Sequence, residues 1–267
     1  MSFSIAGKTA VVTGAANGVG LAIARHFADR GANVMFADMD EGRLKQEFGP
    51  SQDHANMRYF SCDLREKLSV ANLLSATIDA FDRVDILVNA SRQVVPSDPL
   101  DPDDQSLDQL LRQNLLTGDR LSQQFARRMI QQAEKEYEET PAGTIINISS
   151  IAARRVQPGL LAYSVSAAAI DQITRALAVE LAPHRIRVNG IAFGSVMSAS
   201  LQGALKEHEG YREEILEHTP LSRIAEASEL VEVAQFLASD GSGFMTGQIR
   251  TVDGGRTLVD PVDAPAH

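Results

Sequence analysis

Short apolar runs alternate along the chain with longer stretches of amphipathic periodicity. The runs are Thr9 to Thr13, Asn33 to Asp38, Arg58 to Ser61, Asp85 to Asn89, Thr144 to Ser149, Arg187 to Ala192 and Gln248 to Val252. Their length and composition predict seven strands, most of them separated by helices. Thr144-Ile145-Ile146-Asn147-Ile148-Ser149 is apolar at adjacent positions, as in a parallel strand covered on both faces. Repeated βαβ units with right-handed crossovers follow. The expected fold class is therefore α/β, a doubly wound sheet of about seven mostly parallel strands with helices on both faces.

In an open sheet of this kind, ligands bind beyond the carboxyl ends of the strands, near the switch in strand order. Chemically suggestive residues collect there. Gly14 to Gly20 follow the first strand, Asp38 ends the second, Asp63 follows the third, Asn89 to Arg92 the fourth, Ser150 the fifth and Gly194 the sixth. Gly14, Gly18 and Gly20 lie between a strand and a helix predicted to begin around Val19, a Rossmann-like arrangement in which missing Cβ atoms let backbone approach a pyrophosphate. Asp38, about 20 residues farther on, is placed to accept hydrogen bonds from an adenosine ribose. A phosphate on that ribose would meet Asp38 as a like charge, and Asn17 offers no cation, so NAD is expected rather than NADP. The plainer alternative for Asp38 is a turn carboxylate.

The Gly14 to Gly20 loop, Ser150, and Tyr163-Ser164-Val165-Ser166-Ala167 closely resemble the classical short-chain dehydrogenase/reductase family, over nearly the whole chain from Gly7 to Leu258. The resemblance implies that Asn114, Ser150 and Tyr163 are catalytic. It also implies that Gly14, Asn17, Gly18, Val19, Gly20, Asp38, Asp63, Leu64, Asn89, Gly194, Val196 and Ser198 bind the cofactor. In that family Asp63 would contact the adenine edge and Asn89 would open the turn after strand four. Phe193-Gly194-Ser195-Val196-Met197-Ser198 matches a Pro-Gly-x-Val-x-Thr stretch that holds the nicotinamide carboxamide, and Val252-Asp253-Gly254-Gly255 matches a C-terminal signature. The family also implies a homodimer or homotetramer, through helices around Leu107 to Arg128 and Leu161 to Pro183.

Oxidising an alcohol requires removal of its hydroxyl proton as negative charge grows on oxygen. Tyr163 is the expected proton-transfer group, Ser150 would hydrogen-bond the substrate oxygen, and Asn114 would keep a water-linked proton path in place. An unperturbed tyrosine has a pKa of about 10, so only about one in a thousand is phenolate at neutral pH. The family steadies the phenolate with a lysine one helical turn later. That position here is Ala167. A unit charge at roughly 5 Å and an effective dielectric of about 20 is worth on the order of 3 kcal/mol, so a deficit of about ten- to a thousandfold in turnover is expected. Two further departures are Asn89-Ala90-Ser91-Arg92 in place of Asn-Asn-Ala-Gly, and Phe193 in place of proline. Two charge changes near one site motivate the hypothesis that Arg92 returns part of the missing field; the alternative is an arginine pointing to solvent.

Composition bounds the remaining choices. With 267 residues, 44% of them hydrophobic, the chain suits a single domain over 1–267, with a substrate lid about 198–220 and a short tail about 259–267. A formal net charge of −10 argues against nucleic acid or anionic membrane as partners. Cys62 is the only cysteine, and the six histidines are scattered without a zinc-binding pattern, so no metal is expected. No secretory leader is visible before Gly7, which predicts a cytoplasmic protein. The acidic Gln131 to Thr140 stretch reads as a helix end and loop, and Arg154 and Arg155 as a loop bordering the substrate entrance. A small-molecule alcohol or ketone is the expected substrate. The competing reading is a noncatalytic NAD-binding protein with an assembly or sensing role, which Ala167 and Arg92 support.

Overall fold

The computed structural model describes residues 3–49, 55–135 and 141–260. Its strands are β1 (Thr9–Thr13), β2 (Asn33–Asp38), β3 (Met57–Ser61), β4 (Ile86–Asn89), β5 (Gly143–Ser150), β6 (Ile186–Phe193) and β7 (Ile249–Val252). Every boundary falls within one residue of its expected run. All seven join one sheet in the order β3-β2-β1-β4-β5-β6-β7, and every neighbouring pair is parallel. The chain winds outward from β1 to β3, then crosses back to β4, so the loops after β1 and β4 diverge around a crevice.

Side chains alternate between two apolar layers, as the period of a strand requires. Ala10 and Val12 of β1, Val34 and Phe36 of β2, and Ile86 and Val88 of β4 join one layer. Helices α1 (Gly18–Asp29) and α9 (Ser228–Ala238) cover it. Val11, Met35 and Leu87 face the other layer, beneath α3 (Lys67–Phe81), α5 (Thr117–Ala133) and α6 (Leu161–Leu181). Each of these strand side chains is at most 2% exposed, and each fully buried valine, leucine, isoleucine or phenylalanine contributes about 1.5–3 kcal/mol. This double burial explains why the runs lack polar alternation. The remaining helices are α2 (Glu41–Phe48), α4 (Ser106–Leu110), α7 (Ala199–Glu207) and α8 (Tyr211–Glu217). The last two occupy the expected lid segment.

The helix expected over Leu107 to Arg128 is interrupted by a π-helical turn, Leu111–Leu116, between α4 and α5. The wider turn buries Gln113 and Asn114 together, facing the sheet's carboxyl edge. In α6, Tyr163, Ser166, Ala167, Ile170, Asp171, Thr174 and Ala178 are all buried, at the spacing of one helix face. Among the described residues no helix is long and apolar enough to cross a membrane. Residues 136–140 of the acidic stretch and residues 261–267 of the tail lie outside the described residues.

Candidate active site

A cleft of about 460 Å³ opens at the carboxyl edge of the sheet, between the loops after β1 and β4. Its floor is the glycine-rich loop. A Cβ on Gly20 would stand 2.2 Å from the Gly14 carbonyl oxygen, so only glycine lets α1 start this close beneath the loop. Gly18 has φ +56, and a Cβ there would meet nothing nearer than Ser198 Cβ at 4.0 Å. That open space faces the cleft. Asn17 has extended backbone and makes no side-chain cap, and the first turn of α1 holds no acidic residue. The first N–H groups of α1 and the positive end of its dipole are thus open to an anion.

The opposite end of the cleft is negative. Asp38 accepts the Ala16 amide at 3.0 Å and the Asp40 amide at 3.0 Å, so its carboxylate is fixed by backbone at the rim. Asp63 is gripped by Arg65, with Nη2 to Oδ2 at 2.6 Å, and that guanidinium holds its carboxyl below the usual range. Between them burial pushes the Cys62 thiol up to about 12, with the charges of Asp38 and Asp63 adding to the effect. Thiolate being the reactive form, Cys62 is expected to alkylate with iodoacetamide at pH 8 about a hundredfold or more slower than a free cysteine. Timed mass spectrometry checks this; a rate near that of free cysteine would contradict the negative, desolvated environment.

Adjoining Arg92 and Phe193 of the cleft lining, Tyr163 lies 7% exposed at the start of α6, and Ser150 lies 8% exposed at the end of β5. Ser150 Oγ accepts the Ala152 amide at 3.1 Å, which leaves its own hydroxyl hydrogen to donate. The Arg92 guanidinium donates through Nη1 to the Tyr163 hydroxyl, so it does not point to solvent. Asn114 grips the backbone of Gln93 from both sides, accepting its N–H at 2.8 Å and donating to its carbonyl at 2.9 Å. Asn89 turns inward and donates to Asn147 Oδ1 at 2.8 Å and Ser122 Oγ at 3.1 Å. It borders a separate cavity of about 20 Å³, shared with Asn114 and Asn147, which is room for about one water.

Of the residues expected to bind a cofactor, Gly14, Asn17, Gly18, Val19, Gly20, Asp38, Asp63, Leu64 and Ser198 line the cleft. Asn89, Gly194 and Val196 do not. Asn89 braces β4 against β5 and α5, the Gly194 amide donates to Val252 across to β7, and Val196 is buried in a bridge to Ala225. Met39, Gln93, Val94, Gln113 and Ile148 line the cleft although no sequence motif marks them. Met39 directly follows a strand end, which was the available signal. Arg154 and Arg155 are tied to the chain's own C-terminal part, donating to Thr251 Oγ1 and to the Thr257 carbonyl.

A family profile described as "Enoyl-(Acyl carrier protein) reductase" matches residues 14–257. The chain belongs to the classical short-chain dehydrogenase/reductase family. It is 32% identical over 266 residues to oxidoreductase UcpA of Salmonella typhimurium, covering 97% of each chain. It is 30% identical over 250 residues to the 7alpha-hydroxysteroid dehydrogenase of Escherichia coli K12, covering 93% of this chain and 94% of that one. Among solved structures, a 7 alpha-hydroxysteroid dehydrogenase complexed with NADH and 7-oxo glycochenodeoxycholic acid superposes with TM-score 0.86 at 29% identity, covering 95% of this chain and 96% of that one. A putative gluconate dehydrogenase from Agrobacterium tumefaciens gives TM-score 0.87 at 28% identity, over 97% and 100%.

Proposed function

We propose that this short-chain dehydrogenase/reductase is an NAD-dependent oxidoreductase interconverting a secondary alcohol and a ketone. The observation that carries the reading is one cleft with opposite ends: fixed carboxylates at the outer end, and at the inner end the lining cation Arg92, which donates to the buried phenol of Tyr163 adjoining the cleft. The residues fit a dinucleotide. The uncapped start of α1 and the space at Gly18 would hold the pyrophosphate, Asp38 the adenosine ribose, Asp63 and Leu64 the adenine edge, and Ser198 the nicotinamide carboxamide. NAD, when bound, supplies the hydride acceptor. Asp38, Asp40 and Asp63 all border the adenosine end, while Arg43 pairs with Asp40 and Arg65 with Asp63. A ribose phosphate there would face carboxylates whose nearest cations are engaged, which favours NAD over NADP.

Tyr163 takes the substrate's hydroxyl proton during oxidation and returns it during reduction. Ser150 donates to the substrate oxygen, holding it for proton transfer. Asn114 fixes the loop after β4 through Gln93. The exposed Leu161, Val165 and Val179 on α6 support a homodimer or homotetramer built on that helix. One feature favours the noncatalytic reading: Ala167 stands where the family resemblance implies a lysine.

The deciding experiment is a panel of secondary alcohols and ketones with NAD and NADP, followed by nicotinamide absorbance from pH 7 to 10.5, on this chain and its Ala167→Lys variant. Turnover with NAD at least about tenfold above NADP is expected. Absence of turnover in both proteins, with NAD still bound, would support the noncatalytic reading instead.

A further inference from the structure

Arg92, which donates to the Tyr163 hydroxyl, also meets the ring of Phe193. The Arg92 guanidinium carbon lies 4.2 Å from the centroid of the Phe193 ring and 5.8 Å from that of Tyr163. Phe193 ends β6 and is 6% exposed, so its ring is a fixed surface. The backbone carrying Arg92 is equally fixed. Thr13 Oγ1 accepts the amides of Ala90 and Ser91 at 3.0 and 3.1 Å, and Asn114 clamps Gln93 on the far side. Among the described residues no carboxylate forms an ion pair with Arg92, so its charge is not neutralised by a neighbouring acid. Its donated hydrogen bond goes to the Tyr163 hydroxyl.

We propose that Arg92 is a catalytic residue, stacked on Phe193 and donating to the Tyr163 hydroxyl, which places positive charge beside the Tyr163 oxygen and so assists proton transfer there. Phe193 is its positioning residue. The inference rests on the proposed reaction, in which Tyr163 is the proton-transfer group. During oxidation the Tyr163 oxygen takes the proton from the substrate hydroxyl, the carbon–hydrogen bond breaks with the hydrogen and its electron pair leaving together as hydride, for which bound NAD would be the acceptor, and the carbon–oxygen bond becomes a carbonyl. Arg92 stays protonated throughout, because guanidinium does not release its proton in proteins. It therefore acts as a fixed field and not as a relay. Stacking on an aromatic face suits a planar, weakly hydrated cation better than it suits an ammonium group. The arginine in the loop after β4 and the phenylalanine at the end of β6 form one device, and it brings the charge from the β4 loop and not from the Ala167 position of α6.

The test is a double-mutant cycle on Arg92→Ala and Ala167→Lys, with Arg92→Lys and Phe193→Leu alongside. Arg92→Ala is expected to lower kcat at neutral pH by about ten- to a hundredfold, with substrate KM changed less than about threefold. Ala167→Lys should recover much of that loss in the Arg92→Ala protein, yet change the parent far less. An equal effect of Ala167→Lys in both backgrounds would overturn the proposal. So would a loss confined to KM, which would make Arg92 a substrate anchor. A second readout needs no turnover: tyrosine labelled with carbon-13 at Cζ, with the Tyr163 signal identified by its loss in Tyr163→Phe. That signal should move in folded Arg92→Ala and, by a smaller amount, in Phe193→Leu; an unmoved signal refutes the contact. A responsive signal with no turnover in any protein removes the oxidoreductase reading and the catalytic role of Arg92 with it. Turnover that is independent of Arg92 removes the role of Arg92 alone.

Discussion

Tyr163→Phe is expected to lower turnover by about a hundredfold to ten-thousandfold, the range for removing a positioned acid or base. NAD affinity should change little, because Tyr163 does not line the 460 Å³ cleft where the dinucleotide would lie. The substitution is nearly isosteric. The ring packs with Leu110, Ala152 and Ala162, and phenylalanine retains those contacts, so folding should be preserved. What disappears is the oxygen that receives the Arg92 hydrogen bond and that exchanges the proton in the proposed reaction. Steady-state rates in both directions, together with NAD titration by fluorescence, measure the effect. Oxidation and reduction should fall together, since one group serves both. A Tyr163→Phe protein that kept more than about a tenth of the parent rate would assign proton transfer to another residue.

The strands were legible because burial on both faces leaves a strong local signal: adjacent apolar residues bounded by glycine and polar turns. The outer half of the cleft was legible for a related reason. Glycines at the end of β1 and a carboxylate at the end of β2 answer backbone and charge requirements close to their own positions in sequence. The inner half depends on residues far apart in the chain. Phe193 reads in sequence as a departure from proline, and only the sheet order, which sets β6 beside β5 and across from the loop after β4, brings its ring under Arg92. Asn114 acts on the Gln93 backbone, and a side chain's backbone partner leaves no trace in residue type. In sequence Asn89 resembles the residue that opens a cofactor turn, but the same amide serves equally to join β4 to β5 from within. The π-helical turn that aims Asn114 was also hidden, since its residues carry ordinary helical periodicity.

Gly20→Ala should damage the protein more than a single methyl suggests. The added Cβ would lie 2.2 Å from the oxygen and 2.7 Å from the carbon of Gly14, and 3.0 Å from the Thr13 carbonyl oxygen. All three are backbone atoms, so no side-chain rotation relieves the clash. The loop has little freedom to retreat, because the Ala15 amide is bonded to Ala37 of β2 and the Ala16 amide to Asp38. Either α1 shifts along its axis or Gly14 is pushed toward Ala90 and the base of the Arg92 loop. A loss of about 1–3 kcal/mol follows from overpacking of this kind. In a domain of this size that lowers the melting temperature by about 2–12 °C. Displacing the N–H groups at the start of α1 should cut NAD affinity by about a hundredfold or more, since hydrogen bonds to a charged group contribute about 1.5–3 kcal/mol each. Gly203→Ala in α7 is the matched control. A Cβ there meets nothing within 4 Å, and alanine in a helix interior is favoured over glycine by roughly 0.5–1 kcal/mol. Calorimetry should therefore show the two substitutions moving the melting temperature in opposite directions. Equal, small effects would mean that the approach of α1 to the Gly14 loop is looser than 2.2 Å implies.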